Sequence, residues 1–298
     1  MPRFGVTLQS GPEPVAFAQL AEARGFDYLA CGEHLVFHGP TTNAFISLAV
    51  AAGATTSIRL VSAVTLLPLY PAALAAKLAI SLDVASGGRF TLGVGVGGEY
   101  AAEFEAVGAR TSERGARTDE ALTILRRLMT EDDVTVDGRF SSFTDLTMAP
   151  KPARPLPIWI AGRKLAAHRR VARFGDAWLP YLCTPEQVAD GIATIRDLSG
   201  GTWQGGTALF AFTTVDTDGD RARETARARV GRTYQQDFTT MAAKYLIAGT
   251  PEECVARVRE YLAAGVDTVL FRLACARRDA PGMLNLIADE MLPALRQN

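Results

Sequence analysis

Three short stretches hold residue types that do chemistry. In "CGEHLVFHG" (31–39), Glu33 and His34 set an acid beside an imidazole, a pairing that moves protons near neutral pH. In "GGRFTLGVGVGGEY" (87–100), glycines crowd ahead of Glu99. Glycine lets backbone amides approach a flat ligand closely. In "PIWIAGRKLAAHRR" (157–170), Ala161, Gly162, Arg163 and Lys164 lead into a helical pattern. A helix start with a glycine and two cations suits a phosphate, and an ordinary turn with solvated Arg and Lys explains it equally.

Each stretch has a competing explanation. Gly93, Gly95 and Gly98 spell G-x-G-x-x-G. A dinucleotide fold needs that motif in its first strand–helix turn, with an acid about 20 residues on at the end of the next strand. Here three strand–helix units precede it, and the acid at that distance, Asp119, lies inside a helical pattern. The structural alternative is that Gly93 and Gly95 let a strand pack tightly. Gly97, Gly98 and Glu99 then stand where that strand ends. His34 and His38 are four apart, but no third ligand accompanies them and the segment reads as loop, so no metal site is assigned. A lone histidine is ordinarily a satisfied core or surface side chain. The place of His34 at a strand end, beside an acid, weighs against that. No nucleophile triad is visible, and no lysine ends the sixth or seventh strand as Schiff-base chemistry would need.

These residues must be positioned by a repeated unit. Short apolar runs near 3–9, 27–32, 58–66, 90–96, 157–161, 176–182, 207–215 and 268–274 read as strands. Helical patterns lie near 13–24, 43–55, 71–86, 113–130, 164–174, 185–198, 220–243, 251–264 and 281–296. Alternation of this kind predicts a parallel sheet. A junction recurs in "AEARGFDYLA", "VARFGDAWLP" and "YLAAGVDTVLF". Gly25, Gly175 and Gly265 would end a helix in the left-handed region, and Asp27, Asp176 and Asp267 would satisfy turn amides. Eight strands with their helices fit a (β/α)8 TIM barrel, with a doubly wound open sheet as the alternative. Catalytic groups of such barrels sit at the C-terminal ends of the strands. The 298 residues read as a single barrel domain with an insertion near 131–156, where Asp137-Gly138 signals a hairpin. Residues 236–250 show no clear pattern and are expected to form a mobile lid.

Composition narrows the partners. A net charge of −1 without basic runs argues against nucleic acid. No N-terminal signal or long apolar span is visible, so no membrane partner and a cytoplasmic location are expected. Cys31, Cys183, Cys254 and Cys275 match no C-x-x-C or zinc spacing and read as reduced structural thiols. The residues alone therefore describe a barrel, a phosphate-bearing ligand, a histidine acid/base and no covalent catalysis, which suits a borrowed cofactor.

Several motifs are also familiar together. "GRFTLGVGVGGEYAAEFEAVG" (88–108), "RGARTDEALTILRRLMT" (114–130), "VDGRFSSFTDLTMAPKPARPLPIWIAG" (136–162) and "ARFGDAWLP" (172–180) resemble the luciferase-like monooxygenase superfamily, in particular its F420-dependent deazaflavin branch. The resemblance spans roughly residues 3–182. It implies a TIM barrel and an oxidoreductase that moves hydride between F420 and a small-molecule substrate at the barrel mouth. It implies catalytic roles for His34 and Glu99. It implies cofactor contacts from Glu33, from Ala63, Val64 and Thr65 around a non-proline cis peptide, from Gly97 and Gly98, and from Ala161, Gly162, Arg163 and Lys164 at the cofactor phosphate. Relatives often have Asp at the position of Glu33 and Gly-Gly-Ser at the phosphate turn. F420 has an acidic tail, so Arg163, Lys164, Arg169 and Arg170 should line its exit. A homodimer is implied as well. The alternatives are an FMN-dependent monooxygenase served by a separate reductase, and a flavin-binding barrel without turnover. Substrate contacts are expected from loops 136–156, 199–206 and 234–250, with Phe140, Phe143, Trp203, Tyr234 and Phe238 as apolar candidates.

Overall fold

A computed structural model describes residues 1–9, 13–235 and 240–297. Eight strands form a closed parallel ring: β1 (Arg3–Thr7), β2 (Tyr28–Cys31), β3 (Arg59–Ser62), β4 (Phe90–Gly95), β5 (Ile158–Ala161), β6 (Ala177–Leu179), β7 (Gly206–Val215) and β8 (Thr268–Leu273). The pairing of β8 with β1 closes it, with Val269 opposite Phe4, so the open-sheet alternative is excluded. Outside stand α1 (Pro14–Ala23), α2 (Ala44–Ala54), α3 (Ala72–Ala85), α4 (Arg114–Thr130), α5 (Leu165–Phe174), α6 (Pro185–Leu198), α7 (Gly219–Tyr234), α8 (Pro251–Ala263) and α9 (Ala280–Leu286). Among the described residues no helix is long and apolar enough to cross a membrane.

Side chains alternate across each strand, which sorts them into two cores. One set points outward, into the main core between strands and helices. The other fills the barrel: Tyr28, Ala30, Val61, Trp159, Leu179 and Leu270 among them. Tyr28 and Trp159, with ring centroids 5.2 Å apart, occupy much of the interior. Gly5 leaves them room, since a Cβ there would lie 2.6 Å from the Cβ of Tyr28.

The three Gly–Asp junctions do more than turn the chain. Phe4 N donates to Asp27 Oδ2 at 2.8 Å, and Asp27 N donates to the Phe4 carbonyl at 2.7 Å. The same two-bond clasp joins Asp176 to Ile158 and Asp267 to Thr207. Each carboxylate thus satisfies the amide of the preceding strand, not a turn amide as the sequence suggested. Gly25 and Gly265 have φ of +76° and +101°. Gly175 differs, with φ of −89°. Its glycine is needed for closeness instead: a Cβ would stand 3.1 Å from the Val171 carbonyl oxygen.

Residues 131–156, expected to be an insertion, contain an antiparallel hairpin, Val134–Asp137 with Ser142–Leu146. The expected helix over 220–243 ends at Tyr234. Residues 236–239 lie outside the described residues, and the rest of the expected lid is ordinary structure. Ala242–Tyr245 is a helical turn, and Ile247–Gly249 pairs with β7. All four cysteines are buried and free.

Candidate active site

The loop after β2 holds two neighbours that reach in opposite directions. Glu33 is buried and accepts four hydrogen bonds. Leu66 N donates to Oε1 at 3.0 Å; Ala44 N at 3.1 Å, the Tyr70 hydroxyl at 3.0 Å and Asn43 Nδ2 at 3.2 Å donate to Oε2. Ala44 opens α2, so the carboxylate also meets the positive end of a helix. Burial pushes the Glu33 pKa up against these donors. The residue clamps the β2 loop to α2 and to the segment that follows β3.

His34 turns the other way. Its Nδ1 lies 3.0 Å from Oε1 of Glu103, a fully buried residue on the short helix Ala101–Ala106 after β4. The second carboxylate oxygen accepts Leu35 N at 2.7 Å. A carboxylate can only accept, so Nδ1 donates, and Nε2 is the ring nitrogen left for a ligand. Phe37 stacks on the imidazole, with ring centroids 4.1 Å apart.

The wall between β3 and β4 is built of glycines and small to medium apolar residues: Ala63, Val64, Leu66, Gly95, Val96 and Gly97. The peptide bond Ala63–Val64 is cis. A Cβ on Gly93 would stand 1.9 Å from the Ser62 carbonyl oxygen, and one on Gly95 2.4 Å from Val64 Cγ2. These two glycines serve strand packing. Gly97 and Gly98 take φ of +59° and +108° and turn the chain toward Glu103.

These pieces surround a cavity of about 510 Å³ to which all eight strands deliver residues at their C-terminal ends, from Leu8 after β1 round to Arg272 in β8. Glu33, His34, Ala63, Val64, Gly97, Glu99, Ala161 and Gly162 line it. The other four expected residues do not. Thr65 is fully buried, and Gly98 packs beneath Arg114. Arg163 is exposed, donating to the Leu182 carbonyl at 2.9 Å with its guanidinium over the Tyr181 ring. Lys164 is exposed at the start of α5. Arg170 is ion-paired with Asp119 at 2.6 Å. Glu99 sits exposed at the rim, where it accepts from the Tyr181 hydroxyl at 3.3 Å. Burial, aided by the Glu99 charge, pushes the Tyr181 pKa up to about 12, so the phenol remains a donor.

The expected substrate loops contribute little. Trp203 is buried and donates to the Gly175 carbonyl, Phe140 lies between Arg117 and Arg139, and Phe143 packs on the main core. Phe238 lies outside the described residues. Of these aromatics Tyr234 lines the cavity, joined by Phe37, Tyr181, Phe210 and Phe212. Sequence reasoning also missed Glu103, whose one signal is its place a helical turn after Glu99, and Arg229, Arg232 and Arg272 in the wall. Among the described residues no group of three or more His, Cys, Asp or Glu could hold a metal ion.

The sequence model of the luciferase-like monooxygenase family matches residues 3–268. The chain belongs to this family. Members similar to it include the F420-dependent glucose-6-phosphate dehydrogenase of Beutenbergia cavernae, 26% identical over 328 residues that cover 95% of this chain and 93% of that protein. Among solved structures, the monooxygenase RslO1 from Streptomyces bottropensis superposes with a TM-score of 0.87 at 25% identity, covering 98% and 99% of the two chains. An F420-dependent secondary alcohol dehydrogenase, in complex with an F420–acetone adduct, also gives 0.87, at 19% identity over 99% of each chain, a likeness of fold.

Proposed function

We propose that this luciferase-like protein is an F420-dependent oxidoreductase that moves hydride between the deazaflavin and a small organic substrate in the cavity. The observation that carries the reading is the His34–Glu103 pair, an oriented imidazole in the wall of a cavity at the C-terminal mouth. The B. cavernae relative, alike over nearly its whole length, supports F420 as the cofactor.

The residues present fit such a group. At Gly32, Gly95 and the Ala63–Val64 bond the wall presents backbone and small side chains, which would suit a planar ring system. Helix α5 starts without a side-chain cap, whereas Thr184 and Thr250 cap α6 and α8. Gly162, with φ of +123°, lines the cavity just ahead of it. Its uncapped amides would hold a phosphate. Arg163 and Lys164, exposed beside that turn, would meet an acidic tail there.

When bound, the deazaflavin supplies the carbon that gives or takes hydride. The chain supplies position and the proton. His34 Nε2 takes the proton that a substrate hydroxyl loses, or returns it to a carbonyl. Glu103 fixes the tautomer and stabilises the ring when it is charged. Phe37 on one side and Phe210 and Phe212 on another keep water from the reacting groups.

The test is a titration of the purified protein with F420 and with FMN separately, followed by fluorescence quenching. Tight F420 binding with weak FMN binding is expected. A preference for FMN would favour the second reading, a monooxygenase with a partner reductase, which the likeness to the S. bottropensis enzyme supports. F420 binding without reduction by any substrate would leave a binding barrel. Binding of neither would remove the cofactor assignments.

A further inference from the structure

We propose that Arg229, Arg232 and Arg272 form an anion subsite on the β7–β8 side of the cavity, and that the substrate docks there through a carboxylate or phosphate. The word substrate rests on the oxidoreductase reading; the subsite does not.

Arg272 follows Leu270 by two residues in β8. Leu270 fills the barrel interior, so alternation points Arg272 into the barrel as well, one layer nearer the mouth. It lines the cavity. Its Nη1 is buried and makes no hydrogen bond among the described residues. Folded proteins seldom leave a buried charged donor unmatched, because such a group gives up its water for nothing. A ligand oxygen arriving in the cavity would supply the missing acceptor. Burial lowers the pKa of Arg272, but arginine starts so high that it keeps its charge.

Arg229 and Arg232 are three apart on α7 and therefore share a face. That face lines the cavity. Arg229 is anchored through Nη2 to the Cys275 carbonyl at 2.7 Å. Neither has a carboxylate partner among the described residues. The contrast along the same helix is informative. Arg221, Arg223 and Arg227, which turn outward, are ion-paired with Asp216, with Asp220 and Glu253, and with Glu224. The helix pairs its outward arginines and leaves its cavity arginines to something else.

Among the described residues no carboxylate that lines the cavity is ion-paired with them. The two lining glutamates are already engaged: Glu33 by four donors from the chain, Glu99 by the Tyr181 hydroxyl. Guanidinium groups present parallel N–H donors that match carboxylate and phosphate oxygens two at a time. The uncapped start of α5 follows β5, three strands round the ring from β8, so two anion-binding places face one cavity. One would hold the cofactor phosphate and the other a charged substrate.

The test measures binding of inorganic phosphate and of F420 to the full-length protein by calorimetry. It is repeated on Arg232→Gln, an exposed position that will not disturb folding, and on Arg272→Gln. The expected result is phosphate binding to the parent protein, weakened at least tenfold by either substitution, with F420 affinity changed less than about twofold. Phosphate should still bind to protein already loaded with F420, which occupies the α5 start. Parallel loss of F420 and phosphate binding on substitution, or complete loss of phosphate binding once F420 is in place, would assign these arginines to the cofactor and overturn the proposal. So would a parent protein that takes no phosphate. If F420 fails to bind the parent protein while the phosphate result holds, the oxidoreductase reading falls and the anion subsite stands.

Discussion

The Nδ1 of His34 and the Oε1 of Glu103, 69 positions apart in sequence, lie 3.0 Å apart at the wall of the cavity. Glu103 thereby joins the loop after β2 to the helix after β4, and also holds the Leu35 amide. The imidazole is aimed by a buried anion, the arrangement that lets a histidine exchange protons through its far nitrogen.

His34→Ala should leave F420 affinity nearly intact and slow hydride transfer by roughly 10²–10⁴-fold, the usual worth of a general acid–base group. Glu103→Gln keeps the side-chain shape but removes the charge. It should lower kcat more than it raises KM, because the ring loses the carboxylate that orients it. Steady-state kinetics checks both variants, and an unchanged kcat would reduce Glu103 to a packing residue.

Glu33→Gln should destabilise the protein by about 1–3 kcal/mol, since an amide NH₂ must then face either the Leu66 amide or the Ala44, Asn43 and Tyr70 donors. Urea melts measure this directly. A stability equal to that of the parent would show that the clamp is dispensable.

Glu22 governs an acid-dependent part of the stability. Burial opposes its ionisation, but the amides of Ile58, Ser57 and Thr56, with the Ser57 hydroxyl, outweigh it and hold the pKa at about 2. A depressed carboxylate stabilises fully above its unfolded value, near ~4.3, and that contribution is lost as pH falls toward the folded value. Melts from about pH 5 down to about pH 2 should therefore show the gap between the parent and Glu22→Gln closing as pH drops. A gap that stays constant would contradict the assignment.

Two glycines should respond oppositely to one methyl group. Gly53 lies in α2 with nothing within 4 Å of its would-be Cβ, so Gly53→Ala should raise stability by about 0.5–1 kcal/mol. Gly93→Ala would drive a Cβ into the Ser62 carbonyl and should prevent native folding or force β3 and β4 apart. Thermal melts and soluble yield separate the two.

The eight strands and most helices were readable because parallel strands are buried on both faces and stand out as short apolar runs between amphipathic ones. Contact was harder to read. Glu103 looks like any solvated glutamate in "AAEFEA", and nothing local marks a partner 69 residues back. Helix α7 is so rich in arginine that composition hides which ones turn inward; only the packed helix separates Arg229 and Arg232 from Arg221, Arg223 and Arg227. Gly175 shares its letters with Gly25 and Gly265 but not their backbone, because there close packing against Val171 sets the requirement. Arg163 and Lys164 are exposed beside the start of α5 and do not line the cavity, because a strand end fixes position along the chain better than side-chain direction.

The clasps at Asp27, Asp176 and Asp267 lie at the N-terminal rim of the ring, opposite the cavity. They hold neighbouring strands in step with no help from the loops above. The floor of the barrel is thus fastened independently of its ceiling. Loops at the open end can lengthen, shorten or be exchanged while the seams below keep their alignment. A chain built this way can change its chemistry over evolutionary time by rewriting its mouth and leaving its foundations alone.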